Sequence, residues 1–151
     1  MDEPRTSERT RSGWLRTHDL GTVDGDGRLI VFARRSDLIV SGGENVYPIE
    51  VEEVISQHPA VVEVAVIGVP HERWGETVKA LVVLAPGTAV EADELVAFAR
   101  ERLAGYKLPR SVEFVAELPR SAAGKVLKRE LRAQYAAPPS PVAATSARAE
   151  S

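Results

Sequence analysis

The sequence predicts a small α+β domain, a short sheet flanked by helices and preceded by a β-hairpin. Three observations carry this reading. Val61 to Val69 and Thr77 to Leu84 are dense in β-branched residues, as core strands are. Glu91 to Ala104 repeats apolar residues at helical spacing. Asp24-Gly25-Asp26-Gly27 separates two stretches with strand character, and Asp-Gly turns favour hairpins because glycine accepts positive φ.

The elements follow in chain order. Gly21 to Val23 and Arg28 to Phe32 form the predicted hairpin around that turn. Leu38-Ile39-Val40 reads as a short strand running into Gly42-Gly43, a tight turn between strand and helix. Pro48 suits the first turn of the helix, and Glu50, Glu52 and Glu53 lie near its positive end. Val51, Val54 and Ile55 share one face, and Pro59 ends the helix. Pro86-Gly87 turns the chain after the second long strand. The helix from Glu91 to Ala104 has Leu95, Phe98, Ala99 and Leu103 as its apolar stripe. Acids crowd its start, Arg100 and Arg102 its end, and Gly105 stops it. Val112 to Val115 reads as another strand, and Val126 to Tyr135 as a final short helix. Residues 1–12 are charged and featureless, and 136–151 are rich in Pro, Ala and Ser. Both ends read as disordered, which leaves 13–135 as the domain.

Composition narrows the function. A chain of 151 residues, 44% hydrophobic and 27% charged, suits one soluble globular domain. With 19 Lys and Arg against 22 Asp and Glu, the net charge is −3, which argues against a bulk electrostatic nucleic-acid binder. Arg120, Lys125, Lys128, Arg129 and Arg132 leave a local basic patch. The absence of cysteine excludes disulfides, thiolate metal sites and cysteine nucleophiles. His18, His58 and His71 are scattered, without metal-ligand spacing. No apolar run is long enough to cross a membrane, and the polar N-terminus lacks the apolar core of a signal peptide. The expected location is cytoplasmic.

Three segments stand out. They are Gly13-Trp14-Leu15-Arg16-Thr17-His18-Asp19-Leu20-Gly21, the run from Asp37 through Ser41-Gly42-Gly43-Glu44 to Glu52, and Pro119 through Gly124-Lys125 to Leu131. Gly42-Gly43 is either a plain turn or a place where backbone approaches a ligand closely. Lys125 follows a glycine and precedes a basic helix, so it is either a solvated charge or a mobile cation for a phosphate or carboxylate. Tyr106-Lys107-Leu108-Pro109-Arg110 is a proline-ended loop with two cations, neither of which the sequence singles out.

In order and spacing these segments resemble the C-terminal part of AMP-forming acyl-CoA synthetases, members of the adenylate-forming superfamily. The resemblance runs from about Gly13 to Arg132. It implies the small C-terminal lid domain of such ligases and gives roles to individual residues. Asp19 would accept hydrogen bonds from the ribose hydroxyls of ATP, which suit a carboxylate. Arg34 would contact the nucleotide, since a guanidinium suits ribose or phosphate oxygens. Ser36 would be the hinge, within residues 34–37. Ser41, Gly42, Gly43 and Glu44 would line the tunnel for the pantetheine of CoA. Tyr106-Lys107-Leu108-Pro109-Arg110 resembles the family's Tyr-Lys-x-Pro loop. Lys125 would be the catalytic lysine of adenylation. There a carboxylate attacks the α-phosphorus of ATP, and an ammonium bridging the two anions stabilises the transition state. Acylation of Lys125 would remove that charge.

The sequence departs from the pattern at two places. His18 stands where the family usually has glycine, and Ser36 where it has aspartate or lysine. Serine is small and can absorb a dihedral change.

The implied function is one part of an AMP-forming acid–CoA ligase, in which acid, ATP and CoA give acyl-CoA, AMP and pyrophosphate. The cofactors of the complete enzyme would be Mg-bound ATP and CoA, with none binding tightly to this chain alone and no metal site of its own. The expected partners are a large N-terminal lobe, in the same longer protein or as a separate chain, and a carboxylic acid substrate. No nucleic acid and no membrane span are expected. Without the lobe the chain should not turn over, because catalysis needs both reactants held. The alternative is a non-enzymatic partner or regulator that docks on a ligase large lobe.

Overall fold

The computed structural model describes residues 10, 11, 14, 15 and 17–136. The expectation of disordered ends, 1–12 and 136–151, lies outside the described residues except at 10, 11 and 136. Gly13 and Arg16 also lie outside them. Within the N-terminal stretch, β1 (Thr10–Arg11) pairs antiparallel with β2 (Trp14–Leu15).

The predicted hairpin is present. β3 (Asp19–Val23) pairs antiparallel with β4 (Leu29–Arg34), extending the expected strands to the Asp19↔Arg34 pair. Asp24 builds the turn. Its carboxylate accepts the amide hydrogens of Asp26 and Arg28, both at 2.9 Å, and Gly27 takes φ +79°. An aspartate that satisfies its own turn is why Asp-Gly sequences nucleate hairpins. Val23, Leu29, Ile30 and Val31 nevertheless stay exposed on this hairpin.

A turn of 3₁₀ helix, Arg35–Asp37, leads into a five-stranded sheet. Its long pair is β7 (Val61–His71) and β8 (Gly75–Leu84), antiparallel through most of their length. On the other side of β8, two strands share the edge. β5 (Ile39–Ser41) meets it at Gly75, and β9 (Ser111–Phe114) runs parallel to Lys79–Val82. β6 (Glu44–Val46) completes the sheet beyond β5. The sequence reading has no β6. Gly42-Gly43 joins two strands rather than a strand and a helix, with both glycines at positive φ, as a two-residue hairpin demands.

Helices cover both faces, which explains the near-continuous apolar runs of β7 and β8. On one face α1 (Pro48–Ile55) and α2 (Ala92–Arg100) pack Val51, Ile55, Leu95 and Ala99 onto Val66, Val78, Ala80 and Val82. On the other, α3 (Lys128–Gln134) sets Leu131 against Ala65, Ile67, Leu81 and Leu118. α2 stops at Arg100, short of the expected Ala104. The amides of Arg102 and Leu103 both turn back to the Ala99 carbonyl, and this still buries Leu103. Gly105 then opens a 3₁₀ turn, Gly105–Lys107. α3 starts at Lys128 and not Val126, because Val126 bridges to Arg120 and Leu127 donates to the Pro119 carbonyl.

Candidate functional site

The residues singled out by sequence fall into three places. The first is the base of the hairpin. Asp19 and Arg34 are opposite each other in the β3–β4 ladder, and their side chains form an ion pair of 3.2 Å. His18 lies just before Asp19 with φ +61°, in the left-handed region where glycine is at ease and β-carbons are not. Its carbonyl accepts the Arg35 amide hydrogen at 2.8 Å, and the Asp19 amide donates to the Thr17 hydroxyl at 3.2 Å. Thr17, His18, Asp19, Leu20 and Arg35 line a polar hollow; Arg34 is not in its lining.

The second place is the Gly42-Gly43 turn. The Gly42 amide donates to the Trp74 carbonyl at 2.9 Å. The indole of Trp74 lies so close that a β-carbon on Gly42 would sit 2.7 Å from its Cε3. Here the glycine is required twice, by its φ of +60° and by that contact. Ser41, Gly42, Glu44, Trp74, Tyr106 and Arg110 line one cavity, while Gly43 is exposed outside it. The guanidinium groups of Arg73 and Arg110 lie 4.7 and 5.3 Å from the indole centroid. The cavity therefore combines an aromatic wall, a bare backbone turn and a cation.

This separates Lys107 from Arg110. Lys107 Nζ is committed to Glu50 of α1, and the hydrogen bond it donates to that carboxylate holds its pKa above the ordinary lysine value despite partial burial. Arg110 faces the cavity. Sequence reasoning missed Trp74 altogether; its one signal was a large aromatic at a turn, His71-Glu72-Arg73-Trp74-Gly75, outside any apolar period.

The third place is the loop of Lys125. Residues 120–126 close a tight hairpin. The Ser121 amide donates to the Lys125 carbonyl and the Gly124 amide to the Ser121 carbonyl, each at 2.8 Å, with Gly124 at φ +77°. Arg120 locks the loop, donating to the Gly124 carbonyl and to Glu63 of β7, both at 2.6 Å. The loop is thus better held than a bare glycine turn. Three cations of the expected basic patch are neutralised: Arg120 pairs with Glu63, Lys128 with Glu52 and Arg132 with Asp37. Glu50 and Glu52 accordingly serve as tertiary ties, beyond lying near the α1 N-terminus. The side chain of Lys125 is exposed and makes no hydrogen bond or ion pair among the described residues. It lines neither cavity.

Among the described residues no group of His, Asp and Glu is placed to hold a metal, and no helix is long and apolar enough to cross a membrane.

Residues 50–125 match the model of the AMP-binding enzyme C-terminal domain. A feruloyl-CoA synthase of Amycolatopsis is 52% identical over 130 residues, covering 86% of this chain but 26% of the relative. A 2-succinylbenzoate–CoA ligase of Geobacillus kaustophilus is 54% identical over 127 residues, with 84% and 26% covered. Among solved structures, o-succinylbenzoate CoA synthetase of Bacillus subtilis in complex with its acyl-adenylate intermediate matches with a TM-score of 0.79 at 45% identity, over 87% of this chain and 27% of that one. ATP-bound MatB of Rhodopseudomonas palustris matches with a TM-score of 0.82 at 41% identity, over 87% and 26%. Apo MatB matches over the same shares with a TM-score of 0.69. The chain thus spans about a quarter of the length of the relatives it matches. By sequence and by fold it belongs to the C-terminal domain family of AMP-binding, adenylate-forming enzymes.

Proposed function

We propose that this chain acts as the lid of an AMP-forming acyl-CoA ligase, working on reactants held by a large N-terminal lobe. One observation carries the reading. In a segment where Arg120, Lys128 and Arg132 are tied to carboxylates, the side chain of Lys125 is exposed and unpaired on a braced hairpin. An unpaired ammonium on a rigid support is what a carboxylate and an α-phosphate need when they must approach each other.

The second half of the reaction falls to the other cavity. The Gly42 turn and Trp74 would flank the thiol-bearing arm of CoA, and Arg110 would meet its phosphates. Asp19 and Arg34 would open their ion pair to receive ribose, and Ser36 would be the pivot between the two working positions. The hairpin supports a lobe as partner, because its exposed Val23, Leu29 and Val31 would be covered by one. The same reading places the work in the cytoplasm, where ATP and CoA are supplied. The acid itself is chosen by the lobe.

The test is AMP release from ATP, CoA and a pool of carboxylic acids, with the chain alone and with the isolated large lobe of a related ligase. Activity should appear only in the mixture, and Lys125→Ala should lower adenylation about a hundredfold or more. Turnover by the chain alone would refute the lid reading. A mixture that binds but stays inactive would favour a docking or regulatory role.

A further inference from the structure

The hinge expected at Ser36 lies between ties to the hairpin and ties to the sheet and α3. Upstream, the hairpin holds Arg34 through its ladder pairing and ion pair with Asp19, and holds Arg35 through the hydrogen bond from its amide to the His18 carbonyl. Downstream, Asp37 is held from far along the chain. The Arg132 guanidinium, on α3, donates to the Asp37 carboxylate at 2.9 Å, and both side chains are about three-quarters buried at 27% exposure. Two residues later Ile39 enters the sheet and is almost wholly buried. Ser36 keeps an exposed side chain, and its hydroxyl makes only a 3.4 Å hydrogen bond to Asp37.

We propose that Arg132 is a positioning residue, a latch that fastens Asp37 to the lid body and so confines rotation to Ser36. α3 is suited to this because it is itself anchored. Lys128 pairs with Glu52 of α1, and Tyr135 donates to Glu113 of β9. The latch therefore links the pivot to the segment that carries Lys125. A sharp pivot makes two discrete lid positions; a loose one spreads the lid over many, and fewer of them place the lysine or the cavity correctly. The functional part rests on the lid reading above, whereas the latch does not.

The cysteine-free chain allows clean labelling. Spin labels at Asp26→Cys on the hairpin and Asp93→Cys on α2 would report the distance distribution between hairpin and lid body. Arg132→Gln and Asp37→Asn should each broaden it about twofold, the double variant should add little, and Arg132→Lys should restore part of the sharpness. Amide exchange in β7 and β8 should not change. Unchanged widths in both single variants would overturn the latch, as would broadening accompanied by faster exchange throughout the sheet. Joined to a large lobe, Arg132→Gln should alter the ratio of thioester formation to adenylation. An unchanged ratio in an active mixture would overturn the positioning role. Broadening by Arg132→Gln together with an inactive wild-type mixture would leave the latch in place and reject the lid reading instead.

Discussion

Gly42 and Trp74 are in contact: the indole face occupies the space a Gly42 side chain would need, with Cε3 2.7 Å from the ideal β-carbon position. The Gly42 amide also donates to the Trp74 carbonyl. Turn and ring are one unit, and the ring is the wall of the cavity that Arg110 closes.

It follows that Gly42→Ala should displace the indole and strain the turn together. Adenylate formation, which the proposed lid role assigns to Lys125, should be little affected. Thioester formation should fall about tenfold or more, as it does when a binding wall moves by an ångström. Measuring the two half-reactions separately in the joined enzyme checks this. Equal losses in both would mean that the substitution only unfolds the lid. Gly43→Ala is the comparison: its φ of +90° is strained, but a β-carbon there meets nothing within 4 Å, so the indole should stay in place.

His18 makes a second test. At φ +61° it occupies backbone space natural to glycine. His18→Gly relieves that strain while giving the unfolded chain more freedom, so the two effects should nearly cancel, leaving stability within about 1 kcal/mol. A β-branched residue has no such escape, and His18→Val should cost about 1–2 kcal/mol. Chemical denaturation of the two variants separates the cases. A larger loss for glycine than for valine would show that the added freedom of the unfolded chain outweighs relief of the backbone strain there.

Most elements were legible in the sequence because their signals are local. The Asp24–Gly27 turn, the β-branched runs of β7 and β8 and the apolar stripe of α2 each occupy a short window. β6 was missed because Glu44-Asn45-Val46 buries one side chain in three and gives no period. Of the candidate site, the residues were legible but their ties were not. Lys107 and Glu50 are 57 positions apart, Lys128 and Glu52 76, and Arg132 and Asp37 95. Charged residues satisfy the same local pattern whether they meet water or each other, so only the fold decides which cation stays free. Trp74 was overlooked for a related reason: an aromatic at a turn has no neighbours in sequence that disclose what it faces.

The Glu52 network should be the costliest of these ties to cut. Its carboxylate accepts the Val66 amide hydrogen at 2.6 Å and pairs with Lys128 at 2.7 Å, with both side chains mostly buried. Glu52→Ala leaves the Val66 amide and an ammonium without their partner, at a cost of about 2–3 kcal/mol. Lys128→Met leaves the amide bond but strands a mostly buried carboxylate without its cation, and should cost up to about 3 kcal/mol. Equilibrium denaturation gives both numbers. If the lysine variant is the more destabilised, the strength of the network lies in the ion pair and not in the bond to the sheet.

The last prediction concerns pH and the far end of α3. The Tyr135 phenol donates to Glu113 at 2.6 Å, and Lys79 pairs with the same carboxylate at 2.8 Å. Burial first, and then the bond to Glu113, pushes the Tyr135 pKa up to about 12. Hydrogen bonds from Lys79 first, and then Tyr135, hold the Glu113 carboxyl below its ordinary range. The signs follow from which form the fold prefers. A raised phenol pKa means that folding favours the neutral phenol. That stabilisation is whole below the ordinary tyrosine value of about 10 and is lost as pH rises toward 12. A lowered carboxyl pKa means that folding favours the carboxylate, so this contribution is present at neutral pH and is lost as pH falls through the acid range. Tyrosinate absorbance should show a late ionisation near pH 12, and Tyr135→Phe should remove it. The same variant should lose less stability than wild type on going from neutral to alkaline pH, and also on going from neutral to acid, since Glu113 would keep only its bond to Lys79. A late ionisation that survives Tyr135→Phe would assign it to another tyrosine and break the link between α3 and β9 that the hydrogen bond implies.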